Sequence, residues 1–156
     1  MIDVVLEDAR WAGLEALAVA ATDATLTHLS LDPASYLVCV MGCDDARIAE
    51  LNAEFREKQT ATNVLSWPAQ ELAPPQAPTP DPFEDETELG DIALAYETCH
   101  REAEEAQLTP QAHITHLIVH GTLHLLGYDH IEDTDAELME GLEVEILAKL
   151  GIPNPY

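Results

Sequence analysis

Two histidines four residues apart, His120 and His124, close a long apolar stretch, and a third, His130, lies just beyond Gly127. On an α-helix, positions four apart project from one face about one turn, or ~6 Å, from each other. Such a pair can converge on a zinc ion at ~2.0–2.1 Å per nitrogen. His113 and His116 lie on the same helical stripe. Two turns, roughly 12 Å, separate His116 from His124, so one helix supplies only two ligands. The third must come from a segment that turns back over the ion, which selects His120, His124 and His130. His113 and His116 are then expected behind the ligands or in solvent.

Three protein ligands leave a position open for water, the arrangement of catalytic rather than structural zinc. An ion held by neutral imidazoles lowers the pKa of that water to about 7. Asp129, next to the third ligand, is placed to orient it or to accept a hydrogen bond from the ligand shell. The position after the first ligand is Gly121. Zinc peptidases of the His-Glu-x-x-His type carry their general base there, so peptide hydrolysis by that scheme is disfavoured.

The elements that must present this motif follow from periodicity and capping. Ile2–Glu7 reads as a short strand, and Trp11–His28 as a helix with Trp11, Leu14, Leu17, Ala18 and Ala21 inward. The apolar run Tyr36–Met41, ended by Gly42, reads as a strand covered on both faces. Asp44 or Asp45 then caps a helix with Ile48, Leu51 and Phe55 inward. Thr62–Trp67 and Leu89–Ala95 read as strands, and Tyr96–Ala106 as a helix. Thr109 followed by Pro110 starts the histidine helix, which Gly127 stops. Asp133 or Thr134 caps a last helix with Leu138, Leu142, Ile146, Leu147 and Leu150 apolar. The expected fold class is α/β (α+β), a single domain over residues 1–156 with one small mixed sheet packed by helices and the metal site at the end of a central helix. A Pro-rich, acidic loop inserted at about 68–88 has neither the apolar residues nor the backbone donors to join a core.

Composition narrows the functional classes. With 47% apolar residues the chain is globular, and no apolar run approaches the ~20 residues of a membrane span. The first residues lack the basic start and cleavage site of a signal peptide, so a cytoplasmic location is expected. Cys39, Cys43 and Cys99 form no metal-type pair and suit reduced, buried thiols. Six basic residues face thirty acidic ones, a net charge of −24. That balance opposes general nucleic-acid affinity, which rests on neutralising phosphates with Lys and Arg. Yet Arg47, Arg56 and Lys58 fall within twelve positions of one another. From the residues alone, Arg56 serves equally as a solvated helix-end charge or as a phosphate contact.

The segment His120-Gly-Thr-Leu-His124-Leu-Leu-Gly-Tyr-Asp-His130 resembles the signature of the YbeY-type endoribonucleases, bacterial ribosomal-RNA maturation factors. Leu51-Asn-Ala-Glu-Phe-Arg56, Thr62-Asn-Val-Leu-Ser-Trp-Pro68 and Leu89-Gly-Asp-Ile92 resemble family segments in the same order, so the likeness spans roughly residues 36 to 150. It implies a metal-dependent, single-strand-specific endoribonuclease in small-subunit rRNA processing and ribosome quality control. The three histidines correspond to the family's metal ligands, and Arg56 to its characteristic arginine near the metal. Two departures stand out: Glu57 where the family commonly has glycine, and the length of the Pro-rich loop.

Together these readings give one Zn2+ ion per chain at His120, His124 and His130, with Arg56 stabilising phosphoryl charge. Arg47, Lys58, Asn63, Ser66 and Asp91 are expected along the substrate cleft. Single-stranded RNA is the expected partner, with ribosomal proteins or assembly factors, and neither DNA nor membrane. No side chain stands out as general base; the metal-bound hydroxide, or the RNA's own 2′-hydroxyl, then suffices as nucleophile. The competing readings are a zinc hydrolase on a non-RNA, peptidase-like substrate and a non-enzymatic ribosome assembly factor.

Overall fold

The computed structural model describes residues 2–56, 62–74, 78, 83 and 85–156, excluding the side chains of Phe55 and Arg56. Four strands form one mixed sheet: β1 (Ile2–Leu6), β2 (Tyr36–Cys43), β3 (Val64–Pro68) and β4 (Thr87–Ala95), in the spatial order β1-β2-β4-β3. The first three in that order run parallel, and β3 closes the edge antiparallel to β4. Pro68, which cannot donate to a ladder, sits at the end of that edge strand, where it is tolerated. The described residues also form five α-helices: α1 (Leu14–His28), α2 (Asp45–Arg56), α3 (Tyr96–Glu105), α4 (Pro110–Leu125) and α5 (Asp133–Lys149).

The sheet separates two apolar clusters. On one face Val38, Val40, Ile92 and Leu94 pack with Leu14, Ala18, Ile118, Leu123 and Ile146, drawn from α1, α4 and α5. On the other, Leu65, Ala93 and Ala95 pack with Ile48 and Leu51 of α2. The C-terminal half of β4 is buried on both faces, which is why it reads Ile-Ala-Leu-Ala without alternation. α4 carries Ile114, Leu117, Ile118, Val119, Leu123 and Leu125 buried around most of its circumference. It is a core helix, and its histidines occupy the one stripe that opens to a cleft.

Three expectations change. β2 runs through Gly42 to Cys43, because Gly42 is a close-approach position and not a stop. A Cβ there would lie 2.5 Å from the Trp11 ring. Trp11 itself precedes α1, in a short 3-10 turn (Ala9–Trp11), and its indole N–H donates to the Cys43 carbonyl at 2.8 Å. α5 is capped at Glu132 without a side-chain bond, and its inner face is Met139, Glu143, Ile146 and Leu147. Leu138 points outward at 52% exposed. Asp44 does cap α2, accepting from the Arg47 amide at 2.8 Å.

Candidate metal centre

The histidine helix begins and ends by local rules. The Thr109 hydroxyl accepts from the Ala112 amide at 3.1 Å, and Pro110 occupies the first turn. At the far end Gly127, with φ +94°, adopts the left-handed conformation that glycine tolerates best. The Gly127 amide donates to the His124 carbonyl at 3.0 Å and the Tyr128 amide to that of Leu123 at 3.1 Å, a Schellman pair. This turn places the Tyr128 carbonyl 2.8 Å from Nδ1 of His124 and sends the chain back so that His130 reaches the helix end.

The result is a cluster in which one nitrogen from each of His120, His124 and His130 lies within 4.8 Å of the others. Their ring centroids are 4.4 Å (His120–His124), 5.4 Å (His120–His130) and 5.2 Å (His124–His130) apart. Nδ1 of His120 meets Oε1 of Glu143 at 2.7 Å. Both Nδ1 partners, a carboxylate and a carbonyl, accept and do not donate, so both rings carry their proton on Nδ1. Each Nε2 then presents a lone pair, and the two Nε2 atoms are 2.9 Å apart. Ligand nitrogens on a tetrahedral zinc stand about 3.3 Å apart, so a slight opening admits the ion. Two facing lone pairs suit a shared cation, and these residues fit one. Burial pushes His124 down to about 4, with the neighbouring His120 adding to the effect, so its ring stays neutral and available to ligate near neutrality.

Glu143 is the functional residue that sequence reasoning missed. Its side chain is fully buried. Oε1 also lies 3.3 Å from Nε2 of His116, and Oε2 accepts from the Tyr156 hydroxyl. Burial works to raise its pKa, but the bonds from His116, His120 and Tyr156 outweigh it and hold the carboxyl well below its usual range. The only sequence signal was a lone carboxylate on the α5 face that also carries Met139, Ile146 and Leu147.

Two adjoining cavities flank the cluster and share Asn63, Val64 and His120. The first, of about 580 Å3, contains the three histidines, Ser66, Pro68 and Asp129. The second, of about 560 Å3, runs along His113, His116, Glu102 and Tyr156. Alternation along β3 turns Val64, Ser66 and Pro68 toward α4, while Leu65 and Trp67 face the other way. Ser66 therefore stands on the cleft wall, and Asn63, just ahead of the strand, also lines it and donates to Glu102 at 3.0 Å. Glu102 also meets His113 at 3.0 Å. Asp129 bonds the Ile131 amide at 3.3 Å. Gly121 is buried, and a Cβ there would meet Ile92 of β4 at 3.2 Å.

Two expected cleft residues lie elsewhere. Asp91 lines a groove on the opposite sheet face with Val5, Met41 and Trp67, because its neighbour Ile92 takes the inward position. Arg47 is engaged by Glu7 at 3.4 Å and Glu50 at 3.2 Å and lines neither cavity. The Arg56 side chain and Lys58 fall outside the described residues. Cys43 and Cys99 are buried and Cys39 half-buried, and burial raises Cys39 to about 11 and Cys43 and Cys99 to about 12. Among the described residues no helix is long and apolar enough to cross a membrane.

A mixed sheet with a core helix that delivers two histidines, and a returning turn that delivers a third, defines a protein able to bind a metal ion in an open cleft. The family model described as Endoribonuclease YbeY matches residues 6–151, and the chain belongs to that family. Similar proteins described as Endoribonuclease YbeY include one from Ruegeria sp. (strain TM1040), 60% identical over 100% of this chain and 96% of its own. Another, from Ruegeria pomeroyi, is 57% identical over 99% and 97%. A third, from Cereibacter sphaeroides, is 52% identical over 100% and 98%. A solution structure from Thermotoga maritima shares the fold, with a TM-score of 0.60 at 23% identity over 97% of this chain and 92% of that one.

Proposed function

We propose that the protein is a zinc-dependent, single-strand-specific endoribonuclease that acts in small-subunit rRNA processing and ribosome quality control in the cytoplasm. Its partners are single-stranded rRNA and, during assembly, ribosomal proteins or assembly factors. The observation that carries this reading is the convergence of His120, His124 and His130 in an open cleft, within a chain 60% identical over its length to a protein described as an endoribonuclease. The same reading treats the chain as one metallohydrolase domain, with the Pro-rich, acidic segment as an insertion in it.

One zinc ion bound there would polarise a phosphodiester oxygen and lower the pKa of water. The protein's own residues do the rest. Glu143 and the Tyr128 carbonyl hold the His120 and His124 rings so that both Nε2 atoms face the cleft. Asn63 and Ser66 line the wall opposite those rings, where a bound strand would pass. Arg56 contacts the phosphate and stabilises its developing charge with a planar guanidinium fork, and Lys58 extends the cationic strip. With a net charge of −24, general electrostatic attraction to RNA is weak. Recognition then rests on this local site.

The deciding experiment incubates the purified protein with single-stranded RNA, duplex RNA and casein, each with zinc and with chelator. Zinc-dependent cleavage of the single strand alone supports the reading. Cleavage of casein, or RNA cleavage that survives both chelation and His124→Ala, overturns it. A protein that holds zinc, unfolds on chelation and cleaves nothing is an assembly factor instead.

A further inference from the structure

Glu143 makes little sense as a packing residue. It occupies an inner position of α5 between Met139 and Ile146–Leu147, where an apolar side chain would avoid the cost of burying a charge. A carboxylate is tolerated at such a depth only when its oxygens are satisfied, and here they are. Oε1 takes His120 at 2.7 Å and His116 at 3.3 Å, and Oε2 takes Tyr156.

The third partner arrives by a separate route. Gly151, with φ +76°, ends α5, and the Ile152 amide donates back to the Leu147 carbonyl at 2.9 Å. The following residues then return along α5 toward α4. Tyr156 sets its ring edge-on to His116, with centroids 5.6 Å apart, while most of the residue stays exposed. Only its hydroxyl is inserted, and that hydroxyl reaches Glu143. The segment beyond α5 is thus joined to a metal-facing ring through one carboxylate.

We propose that Glu143 is the positioning residue of the metal centre and that Tyr156 secures it there. Glu143 keeps the proton of His120 on Nδ1, fixes the ring plane and leaves Nε2 free to ligate. Its negative charge, one imidazole away, makes that nitrogen a stronger donor. Tyr156 restricts the carboxylate to the rotamer that faces His120. Coupling of this kind is reciprocal: a metal ion that draws His120 into place also favours the docked position of Tyr156. The inference rests on the metal-binding half of the function proposed above and is independent of the substrate.

The test measures zinc affinity by competition with a chromophoric chelator, and the visible spectrum of the cobalt(II)-substituted protein, for wild type, Glu143→Gln, Tyr156→Phe and Glu140→Gln. The Glu140 carboxylate acts on Tyr156, so Glu140→Gln changes the charge beside Tyr156 while leaving its bond to Glu143, and is expected to keep near wild-type zinc affinity. Glu143→Gln is expected to bind zinc about 10–100-fold more weakly and to alter the cobalt spectrum. Tyr156→Phe, a change at an exposed ring, should weaken zinc several-fold while leaving the circular dichroism unchanged. If Glu143→Gln does not fold, the Tyr156→Phe affinity decides alone. Wild-type zinc affinity in Tyr156→Phe, or in a folded Glu143→Gln, overturns the proposal, as does a wild-type protein that binds no zinc. A wild-type protein that binds zinc tightly but leaves RNA intact overturns the endoribonuclease reading and not this one.

Discussion

Nε2 of His120 and Nε2 of His124 face each other at 2.9 Å, while the Nδ1 of each ring is held by an acceptor behind it. Neither ring can turn its protonated nitrogen into the gap without breaking a hydrogen bond to Glu143 or to the Tyr128 carbonyl. With two rings fixed in this way and His130 completing the set, loss of one histidine cannot be made good by turning another, and tight binding should be abolished. His124→Ala and His130→Ala are each expected to lose at least the ~10–100-fold in zinc affinity that removal of an outer partner costs. Equilibrium dialysis with elemental analysis checks this, and stoichiometric zinc in both variants would refute the ligand set.

Acidity should act on the metal-free protein through His124. Its folded pKa is pushed down to about 4, below the 6.5 of a free imidazole, so the unfolded chain binds the extra proton between those values. Folding stability contributed by this group is complete above pH 6.5 and declines as the pH falls toward 4. Glu143 also has a depressed pKa, and its contribution fades only below its ordinary value of 4.5. Urea unfolding of chelator-treated protein between pH 7 and 4.5 should show a falling midpoint, and His124→Gln should flatten that slope. An unchanged slope in the variant would remove His124 as its origin.

Gly127→Ala tests the turn. The left-handed conformation costs a non-glycine residue roughly 1–2 kcal/mol, and a Cβ here would also lie 2.2 Å from the Leu72 carbonyl oxygen. Destabilisation should therefore exceed the conformational figure alone. Because the same turn carries the Tyr128 carbonyl and His130, zinc affinity should fall with it. Urea denaturation and chelator competition on one preparation measure both effects.

Arg56 is the sharpest test of the phosphate chemistry. Arg56→Glu is expected to lower the rate of RNA cleavage by about 10²–10³, the usual effect of deleting one group that stabilises transition-state charge. Zinc content should be unchanged. Cleavage at the parental rate would end its assigned role.

Local chemistry made much of this legible in advance. Thr109, Pro110 and Gly127 bound the histidine helix by rules that need only their immediate neighbours, and the spacing of His120, His124 and His130 follows from helix geometry and that stop. What escaped depended on partners remote in sequence. Glu143 interrupts the apolar stripe of α5, and periodicity favours Leu138, which faces out; the role of Glu143 becomes visible only when α4 and Tyr156 are packed beside it. The neighbourhood of Asp91 in the chain suggests the cleft, but strand parity sends it to the far face. Arg47 shares a helix with Arg56, yet nine residues at 1.5 Å each set them roughly 13 Å apart. Closeness in the chain did not become closeness at the site.

Gly121 carries a consequence for what this scaffold can become. The backbone after the first ligand packs against Ile92 of β4, so that even a Cβ there would sit 3.2 Å from the isoleucine side chain. A glutamate at this position, the change that would nominally write a zinc peptidase motif into α4, must push the Ile92 side chain aside by a few tenths of an ångström and start its carboxylate from a buried, apolar contact. The close spacing between one helix and one strand thus sets a packing cost on the substitution that separates two hydrolytic chemistries.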